Sequence, residues 1–338
     1  MYHAERKIVL GIEEETVVSN QQIQKVKVKR LAHVGLWSTD VLAQTRFYRH
    51  IVGLDLHVAA ENSSDDLGLE EANTYLDLDG EHYVLGLFND TRPTANNGRK
   101  PLQYTQLHHL SFEVDSDAEL AALAARLKIS GINPELGTRD GDPDLGDTLW
   151  FSDPDGNRIE ISVTPDDLYL PSPLASRGRH ALLAPYSLQN VALRTLHLDT
   201  MVEFYTEALG FDISDWLLRE RAWLRCNNTH HTIMLISGKP GIDHIGYEVA
   251  DRNELLRWCD HLGNLQVPVL WGPGRHGAGN NLFVRFADTD GIHIELSTEL
   301  QRYYDRDAST PPRIWHTRST ALNLWGTFPS WMPEEVQV

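Results

Sequence analysis

Short stretches of this chain alternate apolar and polar residues in the way that half-buried strands require. AHVGLWS (32–38) and HLSFEVD (109–115) both follow the two-residue period. After them the period becomes helical. Ser116 and Glu119 form a capping-box pattern ahead of Leu120, Leu123 and Leu127, and Gly131 is placed to end the helix. Asp251, Glu254, Leu255, Leu262 and Gly263 repeat the arrangement. The turn signals DPDG (153–156) and DTDG (288–291) each precede one more short strand.

These patterns recur. RFYRHIVGLDL holds Phe47, Tyr48, Gly53, Leu54 and Asp55, and EFYTEALGFDI holds Phe204, Tyr205, Gly210, Phe211 and Asp212, each 157 positions on (Phe47 to Phe204). SDPDGNRIEIS matches ADTDGIHIELS, and LHHLSFEVDS matches IDHIGYEVAD, both 135 positions apart (Ser152 to Ala287). The chain therefore reads as four βαβββ modules, an α+β fold of two similar domains. The expected domains are 28–164 and 187–300, followed by a tail, 301–338, packing on them. The segment from Thr164 to Tyr186, with Pro165, Pro171, Pro173 and Pro185, reads as the connector, and Asn89 to Pro101 as a polar loop.

Composition narrows the function. At 338 residues, two domains are the natural count, and a 41% hydrophobic content supplies a core. The formal net charge of −18 disfavours nucleic acid and anionic membrane surfaces as partners. No apolar run approaches membrane-spanning length, and the N-terminus lacks a signal-peptide core, so a cytoplasmic location is expected. Cys226 and Cys259 lack zinc-site spacing and read as buried apolar residues.

The chemistry lies in histidines and glutamates at repeat-equivalent places. His33 falls in the first strand of module one, His109 in the first strand of module two, and Glu160 in that module's last strand. Two imidazoles and one carboxylate on three strands form the facial set suited to non-haem Fe(II), with Mn(II) an alternative. His108, next to His109, faces the other way on a strand. In the second half His244 and Glu295 match His109 and Glu160, but the counterpart of His33 is Asn190. A lone strand histidine is most often just packed; three such residues at equivalent strand positions are hard to obtain by accident. The Gly272, Gly274, Gly277 cluster does not follow a phosphate-loop spacing, Glu13 to Glu15 read as a solvated run, and the tail aromatics Tyr303, Tyr304, Trp315, Trp325 and Trp331 read as packing.

Together with the modules, the strings LHHLSFEV, DPDGNRIEI, LRCNNTHHTIML and GPGRHG resemble the vicinal oxygen chelate superfamily (the glyoxalase/bleomycin-resistance/dioxygenase fold). More narrowly they resemble its two-domain extradiol ring-cleavage dioxygenases. PPRIWHTRSTALNLWGTFPSWM resembles the end of homoprotocatechuate 2,3-dioxygenases, and the resemblance spans about Leu31 to Met332. It implies an enzyme of aromatic catabolism that cleaves a small aromatic diol beside its hydroxyls with O2 as co-substrate. It needs no organic cofactor, and a homo-oligomer is expected. It also implies a tail over the C-terminal pocket and a metal normally held in the C-terminal half, with His231 as acid–base group and His276 beside the substrate. There, however, the first ligand maps onto Asn190 and the usual active-site Tyr onto Arg285. The N-terminal half has all three ligands. His82 in GEHYV aligns with His231 and is its acid–base candidate, Trp150 replaces the Tyr, and no counterpart of His276 is found. Three placements follow: His33, His109 and Glu160; His244 and Glu295 with His231 and His276; or His33 with His244 and Glu295 across the halves. Rival functions are a metal-dependent isomerase or lyase working without O2, and a metal-free binding protein.

Overall fold

A computed structural model describes residues 26–57, 73–78, 83–92, 106–138, 147–163, 183–305, 310–326 and 328–332. Module one is β1 (Arg30–Ser38), α1 (Val41–Phe47), β2 (Asp55–Leu56), β3 (Thr74–Asp77) and β4 (Tyr83–Asn89). Module two is β5 (Leu107–Val114), α2 (Asp117–Ile129), β6 (Glu135–Thr138), β7 (Asp147–Ser152) and β8 (Arg158–Val163). Module three is β9 (Ser187–Thr195), α3 (Leu198–Glu203), β10 (Asp212–Leu217), β11 (Arg221–Arg225) and β12 (Ile233–Ser237). Module four is β13 (Gly241–Glu248), α4 (Arg252–Asn264), β14 (Trp271–Arg275), β15 (Leu282–Ala287) and β16 (His293–Thr298). The tail adds β17 (Arg313–Trp315) and α5 (Arg318–Ala321). The predicted βαβββ order is found four times, and the α+β class with two similar domains holds.

Local chemistry accounts for the helices. Ser116 caps α2 by accepting from the Glu119 amide, and Leu120, Leu123 and Leu127 form its buried stripe. Gly131, at φ +79°, closes it in the left-handed conformation. In α4 Asp251 caps in the same way, but Gly263 lies inside the helix; Gln266, at φ +57°, takes the closing position instead. The Val267 amide reaches back to the Leu262 carbonyl there, so the hydrogen bonds close the helix without a glycine.

One sheet runs β2-β3-β4-β1-β5-β8-β7-β6 and the other β14-β15-β16-β13-β9-β12-β11-β10-β17. In each, two modules join along an antiparallel central pair, β1 with β5 and β9 with β13. Module one thus pairs with module two, which overturns the placement of His33 with His244 and Glu295.

The halves pack reciprocally over one continuous apolar core. The Tyr48 hydroxyl donates to Asp288 of the opposite half at 3.0 Å, and the Tyr205 hydroxyl donates to Asp153 at 3.2 Å. Both carboxylates sit in the repeated DPDG and DTDG turns. A second apolar cluster lies in the C-terminal half, where Leu322 and Met332 of the tail pack with Trp223, Trp271 and Phe283. Cys226 and Cys259 form no disulfide. Among the described residues, no helix is long and apolar enough to cross a membrane.

Candidate metal centre

Strand register brings the N-terminal donors together. His33 pairs with Ser111 and Gly35 with His109 across β1 and β5, while Glu160 pairs with Ser111 across β5 and β8. All three side chains are fully buried. The Nε2 atoms of His33 and His109 are 2.7 Å apart, and a Glu160 carboxylate oxygen lies 3.3 Å from His33 Nε2. One donor atom from each falls within 4.8 Å of the others; among the described residues this is the one such group of three His, Cys, Asp or Glu donors. Two imidazole nitrogens and a carboxylate converging on one point fit a divalent first-row metal.

Neighbouring residues shape this arrangement. Gly35 is required by the His109 ring: a Cβ there would come within 2.4 Å of His109 Nδ1. His108 was expected to face away, and its ring does stack on Phe88 at 3.8 Å between centroids. Yet its Nδ1 lies 2.6 Å from His109 Nδ1. Burial pushes the His108 imidazole down to about 4, so it is neutral and can accept from His109 Nδ1–H, leaving His109 Nε2 as the lone-pair atom. Asp243 does the same for His244 in the other half, its Oδ1 2.8 Å from His244 Nδ1. The residue before the ligand-type histidine therefore holds that ring in both halves, which the repeat alignment could have revealed.

The C-terminal half repeats the register and changes the chemistry. Gly246 pairs with both Asn190 and Glu295, and Arg285 pairs with Glu295 where Trp150 pairs with Glu160. Arg285 Nε donates to Glu295 at 2.5 Å, Nη2 lies 3.3 Å from His244 Nε2, and Nη1 lies 3.4 Å from Asp243. A guanidinium thus engages both groups that would ligate a metal. Burial by itself would raise the Glu295 carboxyl, but the positive charges of Arg285 and His276 hold it well below the usual carboxylate range. Burial, then Arg285, pushes His244 down, keeping it neutral. The buried Asn190 amide has no hydrogen-bond partner among the described residues.

His231 and His276 do come together here. They line a small, largely buried recess of about 10 Å³ with Arg221, Trp223, Trp271, Leu322 and the Arg285–Glu295 pair. His276 Nε2 is 3.3 Å from Glu295, and its Nδ1 bonds the Leu322 carbonyl of the tail. Burial pushes His231 well down. The recess and the three-donor set thus lie in different halves. In the recess the Arg285 guanidinium lies between Glu295 and His244, whereas among the described residues no arginine lies between the three N-terminal donors.

His82 lies outside the described residues. The ladders nevertheless bear on its alignment with His231. Val34 pairs with Leu85, and its repeat equivalent Val191 pairs with Ile233. Two residues before these paired positions stand Tyr83 in one half and His231 in the other, with a bulge at Val84 intervening in β4. Tyr83 is buried, with its hydroxyl 3.2 Å from His33 Nε2 and its ring 4.3 Å from the His33 ring. Sequence reasoning missed Tyr83 because the spacing between β1 and β4 differs from that between β9 and β12.

Comparison with known proteins fits this architecture. Residues 30–161 and 187–296 match the family model described as the Glyoxalase/Bleomycin resistance protein/Dioxygenase superfamily. The chain belongs to that superfamily. It is 28% identical over 213 residues to "Metapyrocatechase 2" of Cupriavidus necator, a match covering 58% of this chain and 65% of that relative. It is 24% identical over 324 residues to the "Iron-dependent extradiol dioxygenase" of Rhodococcus jostii, covering 89% and 97%. Among solved structures, the Mn(II)-bound glyoxalase from Novosphingobium aromaticivorans superimposes with a TM-score of 0.71 at 25% identity, covering 92% of this chain and 95% of that one.

Proposed function

We propose that this protein is an extradiol dioxygenase that opens a catechol-type ring beside its two hydroxyls with O2, using Fe(II), or alternatively Mn(II), held by His33, His109 and Glu160. The observation that carries the reading is the contrast between the halves: a complete buried donor set in one, and a guanidinium between the equivalent donors in the other. The likeness to a relative named as an iron-dependent extradiol dioxygenase, and to a metapyrocatechase, supports the reaction class. A divalent ion held by His33, His109 and Glu160 would supply Lewis acidity toward a catechol oxygen and toward O2. Two neutral imidazoles and one carboxylate leave that ion a net positive charge with which to favour an ionised diol. His108 fixes the His109 ring, and Gly35 gives it room. Trp150, 5.3 Å from the His109 ring between centroids and covered by Arg158, walls the site with an apolar face.

Metal analysis of purified protein, with anomalous scattering at the Fe and Mn edges, tests the placement. Glu160→Ala should lose most bound metal and Glu295→Ala little; the opposite result would move the centre to the C-terminal half. Oxygen uptake with a panel of mono- and bicyclic catechols tests the reaction, with one O2 consumed per catechol expected. The likeness to a Mn(II)-bound glyoxalase favours a second reading, an isomerase or lyase using the same chelation without O2. Turnover under anaerobic conditions would select it.

A further inference from the structure

We propose that the Tyr83 hydroxyl is the hydrogen-bonding group of the N-terminal site, occupying the place that His231 holds in the other half, and that it contacts an ionised oxygen of the bound diol. This rests on the reading that His33, His109 and Glu160 hold the metal. Two independent observations carry it. The first is topological. Leu85, Gly86 and Leu87 pair with Val34, Gly35 and Leu36, while Ile233, Met234 and Leu235 pair with the repeat-equivalent Val191, Ala192 and Leu193. The third ladder agrees: Tyr75 and Leu76 oppose Gly86 and Leu85, as Trp223 and Leu224 oppose Met234 and Ile233. Tyr83 and His231 each stand two residues before this shared register, Tyr83 beyond a bulge at Val84 where Asp77 next opposes Tyr83, and His231 just ahead of β12. In its own half His231 lines the recess beside His244 and Glu295.

The second observation is the atom that Tyr83 meets. Its hydroxyl is 3.2 Å from His33 Nε2, and Glu160 Oε2 lies 3.3 Å from that same nitrogen. The phenol hydroxyl therefore sits at the same His33 nitrogen that faces Glu160. A lone pair on His33 Nε2 cannot both accept from Tyr83 and ligate a metal. Metal loading would release the hydroxyl hydrogen from His33, letting it turn towards an oxygen held at the same point. A phenol and an imidazolium N–H can each donate one hydrogen bond to such an oxygen, so Tyr at this position keeps the donor while changing the ring. Trp150, which replaces the Tyr of the resembled family, cannot offer a hydroxyl.

The test uses the full chain loaded anaerobically with Fe(II), and 4-nitrocatechol, whose visible spectrum reports its ionisation. A hydrogen bond to a charged oxygen leads to an expected loss of roughly tenfold to a hundredfold in affinity when it is removed. Tyr83→Phe should keep the wild-type metal content, bind 4-nitrocatechol that much more weakly, and shift the bound spectrum towards the more protonated form. Tyr83→His, which restores a donor, should recover most of the affinity and the wild-type spectrum. Unchanged affinity and spectrum in Tyr83→Phe would overturn the proposal. So would metal loss in that variant, which would make Tyr83 a support for His33, or a binding defect produced by His231→Asn instead. The metal content of Glu160→Ala separates the two levels. If that variant keeps its metal, the N-terminal reading fails and takes this proposal with it; if it loses the metal, the Tyr83 result stands by itself.

Discussion

Replacing Arg285 with Leu should expose how much the C-terminal half depends on its internal cation. Arg285 and Glu295 are both 3% exposed at the side chain and joined at 2.5 Å, with Asp243 a second carboxylate at 3.4 Å. Leucine removes the charge and leaves Glu295 with His276 and Asp243 with His244 and Arg194. Breaking a buried ion pair by removing one partner costs about 3–5 kcal/mol, because the remaining charge stays desolvated. At about 2–4 °C per kcal/mol for a domain-sized unit, the midpoint of that half should fall by roughly 6–20 °C at neutral pH. The pH dependence follows from the depressed carboxyl of Glu295. Its contribution in the wild type is present above the ordinary Glu value of about 4.3 and is lost as pH falls towards its folded value. In Arg285→Leu that contribution is gone, so the gap between the proteins should be widest near pH 7 and narrow below about pH 4. Differential scanning calorimetry across this range measures it, with bound metal per chain as a second readout expected to stay constant. A gap under about 1 kcal/mol, or one independent of pH, would refute the view that Arg285 is the cation these carboxylates need.

Gly35→Ala should lower metal content sharply while leaving the fold intact, since the new methyl displaces the His109 ring; retention of full metal would show that the ring can give way. Tyr48→Phe and Tyr205→Phe, which each remove a hydroxyl from a buried carboxylate between the halves, should each cost about 1–3 kcal/mol in thermal or denaturant unfolding. Burial raises Asp153 and Asp288 to about 6, so the stability these groups contribute is complete below about pH 4 and lost as pH rises through about 6. Compared with an Asp153→Asn, Asp288→Asn double variant, the wild type should therefore lose ground between pH 4 and 7, and a constant difference in midpoint would contradict the sign.

The four modules could be read from local patterning. Alternation and helix periods are local properties, and the repeated Phe47–Asp55 and Phe204–Asp212 strings, with the DPDG and DTDG turns, carry the same local instructions into each copy. The stripe of Leu120, Leu123 and Leu127 with its Ser116 cap was legible because those contacts lie within one or two turns of each other. So was the prospect that His33, His109 and Glu160 share a face, since strand parity and repeat position suffice to predict it. The closing of α4 was not: a glycine at 263 looks like a stop, yet the terminal hydrogen bonds form one turn later around Gln266. Which modules share a sheet emerged from the long-range strand pairing, which removed the combination of His33 with Glu295. The tertiary structure also decided what Arg285 does, because an arginine ten residues before a glutamate carries no sign that its guanidinium lies between Glu295, His244 and Asp243. Tyr83 was hidden for a related reason. The repeat offset changes along the chain as loops of different length intervene, and an alignment of short strings cannot fix a register that is set by hydrogen bonds between strands about fifty residues apart. Side chains that converge on one point owe their meeting to that long-range register, which local sequence constrains but does not contain.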